Sequence, residues 1–186
     1  RQMDFEFALW LMLQLCLAPK RAFQHASYRK ETKNTWSRDD PAYIVLLSVF
    51  LLVSSSAYCV TFGDGFGSSV KIVLYVLFVD FLSLSGLLAT AGWLFANRTL
   101  RRRPLPSHTA EQSVEWLYAF DVQCNAFFPL FLLLHVCQFV LSPLLLAKSF
   151  VSVMLANGLY VLAFSYYHYL NFLGYAALPF LERTEV

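Results

Sequence analysis

Long stretches without a charged side chain dominate the pattern of this sequence. The charge-free intervals run between Asp40 and Asp64, Asp80 and Arg98, Asp121 and Lys148, and Lys148 and Glu182. A helix that crosses a membrane needs about 20 consecutive, mostly apolar residues. Three of the intervals exceed this length, and the second reaches it when Asp80 is included. The pattern therefore predicts four transmembrane helices, at residues 42–62, 72–96, 126–147 and 150–181.

Prolines and a glycine interrupt the later apolar stretches. Pro129 and Pro143 predict kinks in the third span, because proline removes a helical hydrogen bond. The fourth stretch is longer than one straight crossing, and Gly174 and Pro179 indicate a break near its end. We predict that it forms one tilted or broken helix.

Residues 1–41 have the pattern of a segment that lies at the membrane surface. The apolar stretch at residues 5–17 is too short for a span and is followed by Pro19. We therefore predict an interfacial helix there, followed by a polar segment. Asp40 and Pro41 then stand where the cap and first turn of a helix are expected.

The composition supports a membrane protein and excludes an ordinary soluble domain. Of the 186 residues, 58% are apolar and only 14% are charged, whereas soluble domains carry about 25% charged residues. The four cysteines show no C-x-x-C spacing, so we interpret them as buried thiols. The predicted fold is an all-α, polytopic transmembrane helical bundle, with residues 1–186 forming a single membrane domain.

The distribution of cations predicts the orientation. Residues 1–41, the loop after the second span and the tail hold all but two of the 14 Lys and Arg residues. Lys71 and Lys148 are the exceptions. Because cytoplasmic loops carry the excess of cations, both ends of the chain are expected in the cytoplasm. Asn97 begins a formal glycosylation sequon on that side, so we expect it to remain unmodified.

Asp80 lies inside the second predicted span. A charged side chain in the middle of a membrane costs about 2.5–3.5 kcal/mol, which makes Asp80 a candidate functional residue. The alternative is structural: Asp80 is hydrogen-bonded within the bundle, facing Ser83, Ser85 or Thr90.

Other polar residues occur in the third and fourth spans. Asp121 and Asn125 are four residues apart, which places them on one face of a helix, where they could bind a ligand or join two helices. His135 and His168 could form a proton relay or a metal pair. We favour the structural interpretation of each pair, with hydroxyl or carbonyl partners for the histidines, and expect no metal or cofactor.

The polar segment before the first span contains candidate partner-binding residues. We interpret the segment as an exposed surface, because an exposed aromatic side chain between charges of both signs is typical of a protein contact. The candidates are Tyr28, Arg29, Lys30, Trp36 and Arg38. The alternative is that Asp39 and Asp40 cap the first span while Arg38 pairs within the chain.

No recognised catalytic constellation occurs in the sequence. It has no H-E-x-x-H, no P-loop and no dinucleotide-binding fingerprint, so we predict that the protein is not an enzyme. The basic loop at Arg101–Arg103 is interpreted as a solvated topology signal, with binding of anionic lipid or RNA as weaker alternatives.

Four motifs follow one another along the chain. The first is RQMDFEFA at residues 1–8, followed by Trp10. The second is YRK, TK, W and RDDP within residues 28–41. The third is EW, YAFDV, NAF and P within residues 115–129, and the fourth is FLGY and ALPFL within residues 172–181. Together they resemble the Unc-fifty ("uncoordinated, fifty") family of Golgi integral membrane proteins.

The resemblance implies a location and a role. It implies a non-enzymatic, multi-pass protein of the Golgi or early secretory membrane that supports vesicle trafficking. The expected partners are the lipid bilayer, a large guanine-nucleotide exchange factor for Arf GTPases and receptor cargo such as nicotinic acetylcholine receptors. RNA binding is a weaker implication. The family usually has an additional amino-terminal tail and a fifth span, so the chain is expected to be its core region.

A small transporter or lipid-handling protein is the alternative function. In that case a polar cavity inside the membrane would be lined by Asp80, Asp121, Asn125 and His135. Polar side chains along one continuous cavity would favour transport, whereas pairing between helices would favour the trafficking role.

Overall fold

The computed structural model describes residues 3–63, 65–100, 112–147 and 149–181. Seven helices occur in these ranges: α1 (Phe5–Leu17), α2 (Pro19–Lys33), α3 (Ala42–Phe62), α4 (Phe66–Leu100), α5 (Trp116–Val140), α6 (Ser142–Leu145) and α7 (Phe150–Ala176). Helices α3, α4, α5 and α7 are long and apolar enough to cross a membrane. This confirms the predicted all-α bundle with four spans and a short amino-terminal apolar helix. The basic loop at Arg101–Arg103 lies outside the described residues.

The amino-terminal region forms two helices. Asp4 caps α1, because its carboxylate accepts the N–H of Phe7 at 2.9 Å. Pro19 is the first residue of α2, and Ala18 before it is not helical (φ −147°, ψ 66°), which separates the two helices. The sequence analysis predicted a polar segment here and did not identify this second helix. Helix α2 ends at Lys33, where Asn34 adopts the left-handed conformation.

The helices extend beyond the predicted apolar stretches at several ends. Helix α3 has the predicted bounds and ends before Gly63, whose φ is +76°. Helix α4 extends beyond both ends of 72–96, and α5 begins well before residue 126. Helical hydrogen bonds continue past the apolar residues, so hydropathy alone underestimates the lengths of these helices.

The prolines of the last two predicted spans differ in their effect on the helices. Helix α5 continues through Pro129, and it is followed after a break by α6, in which Pro143 lies in the first turn. Helix α7 is continuous and ends before Pro179. The last predicted span therefore forms one helix over residues 150–176, and the chain turns after it.

Helix α5 forms the centre of the bundle. In its most apolar stretch 61% of the residues are buried, against 11–22% in the other three spanning helices. It packs against α4 and α7 and also contacts α1. The other spanning helices turn apolar outer faces away from it, as expected for contact with lipid.

Helices α1 and α2 lie against the same bundle. Helix α1 contacts α3 and α5, while α2 contacts α7. Leu9, Leu13 and Leu17 follow each other at four-residue spacing along α1 and are exposed. An exposed apolar stripe of this kind suits the membrane contact predicted for α1.

Candidate functional site

The segment between α2 and α3 is held against the start of α5. Glu115 is the residue before α5, and its carboxylate accepts two backbone N–H groups of this segment. Oε1 accepts the N–H of Trp36 at 3.4 Å, and Oε2 accepts the N–H of Ser37 at 3.3 Å. These bonds fix the course of the chain where it enters the first span.

A buried ion pair lies one turn deeper. The Asp121 carboxylate accepts the backbone N–H of Arg38 at 2.6 Å and its Nε–H at 3.2 Å. The two side chains are only 7% and 11% exposed. The guanidinium also stacks 4.1 Å from the ring centre of Tyr43. Burial by itself would lower the pKa of the Arg38 guanidinium. The attraction of the Asp121 carboxylate outweighs this effect, so the pKa of Arg38 is raised.

Aromatic side chains close the same region from the side of α7. Trp36 is 5% exposed, and its ring contacts Tyr118 and Phe180 edge-on at centroid distances of 6.2 and 6.0 Å. The hydroxyl of Tyr118 donates to the carbonyl of Gly174 at 2.6 Å. A Cβ on Gly174 would lie 2.5 Å from Val122, so a glycine is required for this close approach.

These residues form one cluster, which we call the junction. It consists of Trp36, Arg38, Glu115, Tyr118, Asp121, Gly174 and Phe180. The cluster joins the segment before the first span to the start of α5 and the end of α7. It brings together residues from the second, third and fourth motifs, so the motifs that resemble the Unc-fifty family meet in space. The arrangement can fix helices relative to each other, and it contains no nucleophile paired with a base.

The candidate partner-binding residues do not form one exposed surface. The interpretation of Trp36 and Arg38 as exposed was wrong, because the junction buries both. Tyr28 is 64% exposed, and Lys30 is partly exposed. Arg29 is partly buried. Tyr28 and Arg29 differ in exposure because successive residues of α2 point about 100° away from each other.

The two acids before the first span have separate partners. Asp40 accepts the N–H of Ala42 at 3.0 Å and the N–H of Asp4 at 2.7 Å, so it caps the start of α3 and holds α1 beside it. Asp39 pairs with Lys33 at 2.9 Å. Of the alternative in which Asp39 and Asp40 cap the first span while Arg38 pairs within the chain, the structure shows the cap by Asp40 and the pairing of Arg38, whereas Asp39 contacts Lys33.

Asp80 lies on the exposed surface of α4. The interpretation that it faces a hydroxyl inside the bundle was wrong. Of the three hydroxyls predicted as its partners, Ser83 donates to the carbonyl of Phe78 and Thr90 to that of Gly86, both at 2.7 Å, while Ser85 is buried. Backbone carbonyls of the preceding turn are the nearest acceptors for such side chains in a helix.

Asn125 and His135 lie apart from the ion pair. Oδ1 of Asn125 and Nδ1 of His135 are buried and have no hydrogen-bond partner among the described residues. The carbonyl of His135 accepts the hydroxyl of Tyr58 at 3.0 Å. Asp121 thus pairs with Arg38 and not with Asn125. His168 packs against the ring of its neighbour in α7. The described ranges hold no group of three His, Cys, Asp or Glu arranged for a metal ion.

Two further polar contacts were missed by sequence reasoning. The amide of Gln123 donates to the hydroxyl of Tyr167, which joins α5 to α7. The hydroxyl of Tyr166 donates to the carbonyl of Leu15 at 2.7 Å and so fastens α1 to α7. The enrichment of α7 in tyrosine was the available signal, because a buried tyrosine hydroxyl usually finds a partner.

Two cavities flank α1. One, of about 410 Å³, lies between the start of α1, the end of α2 and the start of α3, and charged side chains line part of it. The other, of about 580 Å³, lies between α1, α3 and α5 and has an almost entirely apolar lining that includes His135. Asp80, Asp121 and Asn125 line neither cavity.

Comparison with known proteins finds one family, at the level of both a family model and individual relatives. A model of the UNC-50 family matches residues 1–186. The unc-50 homolog of Dictyostelium discoideum is 48% identical over 186 residues, which are 100% of this chain and 71% of the relative. The homologs of Rattus norvegicus and Homo sapiens are each 43% identical over 187 residues, with the same coverage. No solved structure matches the chain.

Proposed function

Because this chain belongs to the UNC-50 family, we propose that it is a non-enzymatic protein of the Golgi or early secretory membrane that supports vesicle trafficking. In this proposal it recruits a large Arf guanine-nucleotide exchange factor and aids the surface delivery of receptors such as nicotinic acetylcholine receptors. Its amino terminus lies in the cytoplasm, where the exchange factor would meet it.

The observation that carries the proposal is the outer face of α2. Gln24, Tyr28, Glu31 and Thr32 are exposed and lie on one side of this helix, and we call them the docking face. The opposite side is buried through Ala22, Phe23 and Ala26. Tyrosine is a favoured anchor in protein interfaces, and Tyr28 stands in the middle of this face.

The junction makes α2 a suitable platform. The segment that follows α2 is bound to α5 through Glu115 and Asp121, and α2 itself packs on α7. A docking surface that is already rigid loses less conformational entropy when a partner binds. This supports a recruiting role for the face that α2 turns outward.

The distribution of polar residues supports the trafficking role over a transporter. Asp121 is neutralised by Arg38, and Asp80 lies on an outer surface. His135 lines the apolar cavity and also a second cavity that contains Ser55, Tyr58 and Gln138, but Asp80, Asp121 and Asn125 line neither of them. A transport pathway needs polar groups along one route. Pairing between elements was the arrangement expected of a trafficking adaptor.

The environment of Asn97 also favours an unmodified side chain. Its side-chain amide donates to the carbonyl of Val114 at 3.2 Å, and its side-chain oxygen accepts the N–H of the same residue at 2.9 Å. A glycan on this amide nitrogen would displace the bond. Both the cation bias and this pairing therefore favour an unmodified Asn97.

A pull-down of the full-length protein from Golgi membranes after crosslinking tests the recruiting role. We expect Tyr28→Ala to reduce recovery of the exchange factor and to leave location and thermal stability unchanged. Tyr75→Ala is the control for loss of an exposed tyrosine away from the docking face, since Tyr75 is 57% exposed and lies on the outer surface of the spanning helix α4. Unchanged recovery with Tyr28→Ala would overturn the docking face. Equal losses in both variants would do so too.

A further inference from the structure

Asp80 is a single carboxylate on the apolar outer side of α4. The side of this helix that packs into the bundle carries its buried residues, Phe81, Ser85, Ala89 and Ala96. Asp80 is exposed. Its neighbours Val79 and Leu84 are exposed as well, by 43% and 48%. The structure therefore places an acid among side chains that otherwise suit contact with lipid.

Asp80 lies deep in the membrane. Helix α4 has 35 residues, which makes it about 52 Å long. A hydrocarbon layer about 30 Å thick that is centred on this helix begins about 11 Å from either end. Asp80 is about 21 Å from the start of the helix at Phe66, so it lies roughly 10 Å inside the hydrocarbon. The side chain of an aspartate is too short to reach the membrane surface from this depth.

Asp80 has no charge partner within the described residues. No ion pair joins its carboxylate to a cation in that part of the chain. His135 of α5 attracts the carboxylate from a greater distance but forms no ion pair with it. The nearby hydroxyl of Ser83 donates to the carbonyl of Phe78 instead. Asp80 also lines neither of the cavities that His135 lines, so these cavities bring no water to it.

An unpaired carboxylate at this depth calls for a cation at the same depth. Charged side chains inside a membrane are costly, and they almost always pair with one another or face the interior of a bundle. Asp80 does neither within the described residues. The cationic head groups of lipids stay at the membrane surface and do not reach it. A second copy of the chain that used the same face would bring two carboxylates together, which disfavours the charged form.

We propose that Asp80 is the contact point for a transmembrane helix of another protein, and that this helix carries a lysine or arginine at the depth of Asp80. Pairing removes the cost of both intramembrane charges. A helix that lies along α4 also packs against the exposed side chains of Val79 and Leu84. The proposal goes beyond the proposed function, because the docking face belongs to α2, and it does not depend on the exchange factor.

Energy transfer between the labelled full-length protein and a synthetic transmembrane peptide tests the contact in phosphatidylcholine vesicles. The peptide is a helix of about 21 leucine and alanine residues with polar ends and one central lysine. The comparison peptide has leucine at the central position. A lysine side chain is long enough to reach Asp80 in either orientation of the peptide. We expect the lysine peptide to associate about tenfold more tightly, and equal association of the two peptides would overturn the proposal.

Asp80→Asn is the decisive variant, and Glu6→Gln is its matched control. Asparagine keeps the size of aspartate and removes the charge, and the position is exposed, so we expect Asp80→Asn to fold with an unchanged Tm. It should bind the two peptides equally. Glu6 is an exposed acid on α1, outside the spanning helices, and Glu6→Gln should keep the preference for lysine. A preference that persists in Asp80→Asn, or that is lost equally in Glu6→Gln, would overturn the assignment to Asp80.

Charge reversal separates ion pairing from a general effect of polarity. Asp80→Lys should prefer a peptide with a central aspartate over the lysine peptide, because the two charges are exchanged. A lysine peptide that binds Asp80→Lys as tightly as it binds the unsubstituted protein would contradict pairing. Self-association of the full-length protein that is lost in Asp80→Asn, without a preference for the lysine peptide, would assign the face to a second copy of the chain and overturn the proposal.

Discussion

Removal of the Asp121 carboxylate should destabilise the protein strongly. Asp121→Ala leaves the Arg38 guanidinium without its neutralising charge, at a position where that side chain is 7% exposed. It also leaves the backbone N–H of Arg38 without the acceptor that now lies 2.6 Å away. Removing one partner of a buried ion pair costs about 3–5 kcal/mol. For a chain of this size the expected fall in Tm is roughly 10 °C.

An exposed ion pair close by supplies the control. Lys33 and Asp39 are paired at 2.9 Å, but their side chains are 60% and 40% exposed. Exposed pairs contribute about 0–1 kcal/mol, so Lys33→Ala should lower Tm by no more than about 3 °C. Both variants are measured by thermal unfolding in the same detergent, together with the fraction of protein that leaves the endoplasmic reticulum.

A double variant separates the charge effect from packing. Arg38→Met with Asp121→Leu removes both charges, and apolar replacement of a buried pair is often neutral or stabilising. We expect the double variant to regain most of the Tm that Asp121→Ala loses. The reasoning is refuted if Asp121→Ala and Lys33→Ala lower Tm equally. A double variant as unstable as Asp121→Ala would show that the loss comes from packing.

Three further substitutions test other contacts. Gly174→Ala should lower Tm because its Cβ would lie 2.5 Å from Val122, whereas Gly158→Ala, with open space around the Cβ, should not lower it. Tyr118→Phe should cost about 1–3 kcal/mol in unfolding experiments, because the carbonyl of Gly174 loses its buried donor. Asn97→Gln should leave electrophoretic mobility unchanged with and without endoglycosidase, and a shift removed by the substitution would contradict the cytoplasmic assignment.

The sequence predicted the membrane helices where local signals agreed with hydropathy. Helix α3 begins after Asp40 and Pro41 and ends before Gly63. These residues start and end the helix through local effects, such as the cap by Asp40 and the left-handed conformation of Gly63. The start of α5 was missed for a physical reason. Gln123 and Asn125 have the polarity of a loop, but they lie inside the helix, where tertiary contacts outweigh polarity.

The junction could not be predicted from spacing along the chain. Helical periodicity placed Asn125 beside Asp121, but the carboxylate pairs with Arg38, 83 residues away in the sequence. A buried carboxylate gains more from a cation than from an amide, so the long-range partner prevails. The interleaved charges around Trp36 resembled an exposed segment, because the sequence does not show that α5 and α7 cover this residue.

Arg38 separates two roles that the sequence had combined in one segment. One edge of its guanidinium is neutralised by Asp121 and holds the segment before the first span against α5, so loss of this contact is a loss of stability. Partner binding, the other role, is assigned to the outer face of α2, where Tyr28 is 64% exposed and takes no part in the junction. Asp121→Ala should therefore lower Tm, whereas Tyr28→Ala should reduce recovery of the exchange factor and leave Tm unchanged.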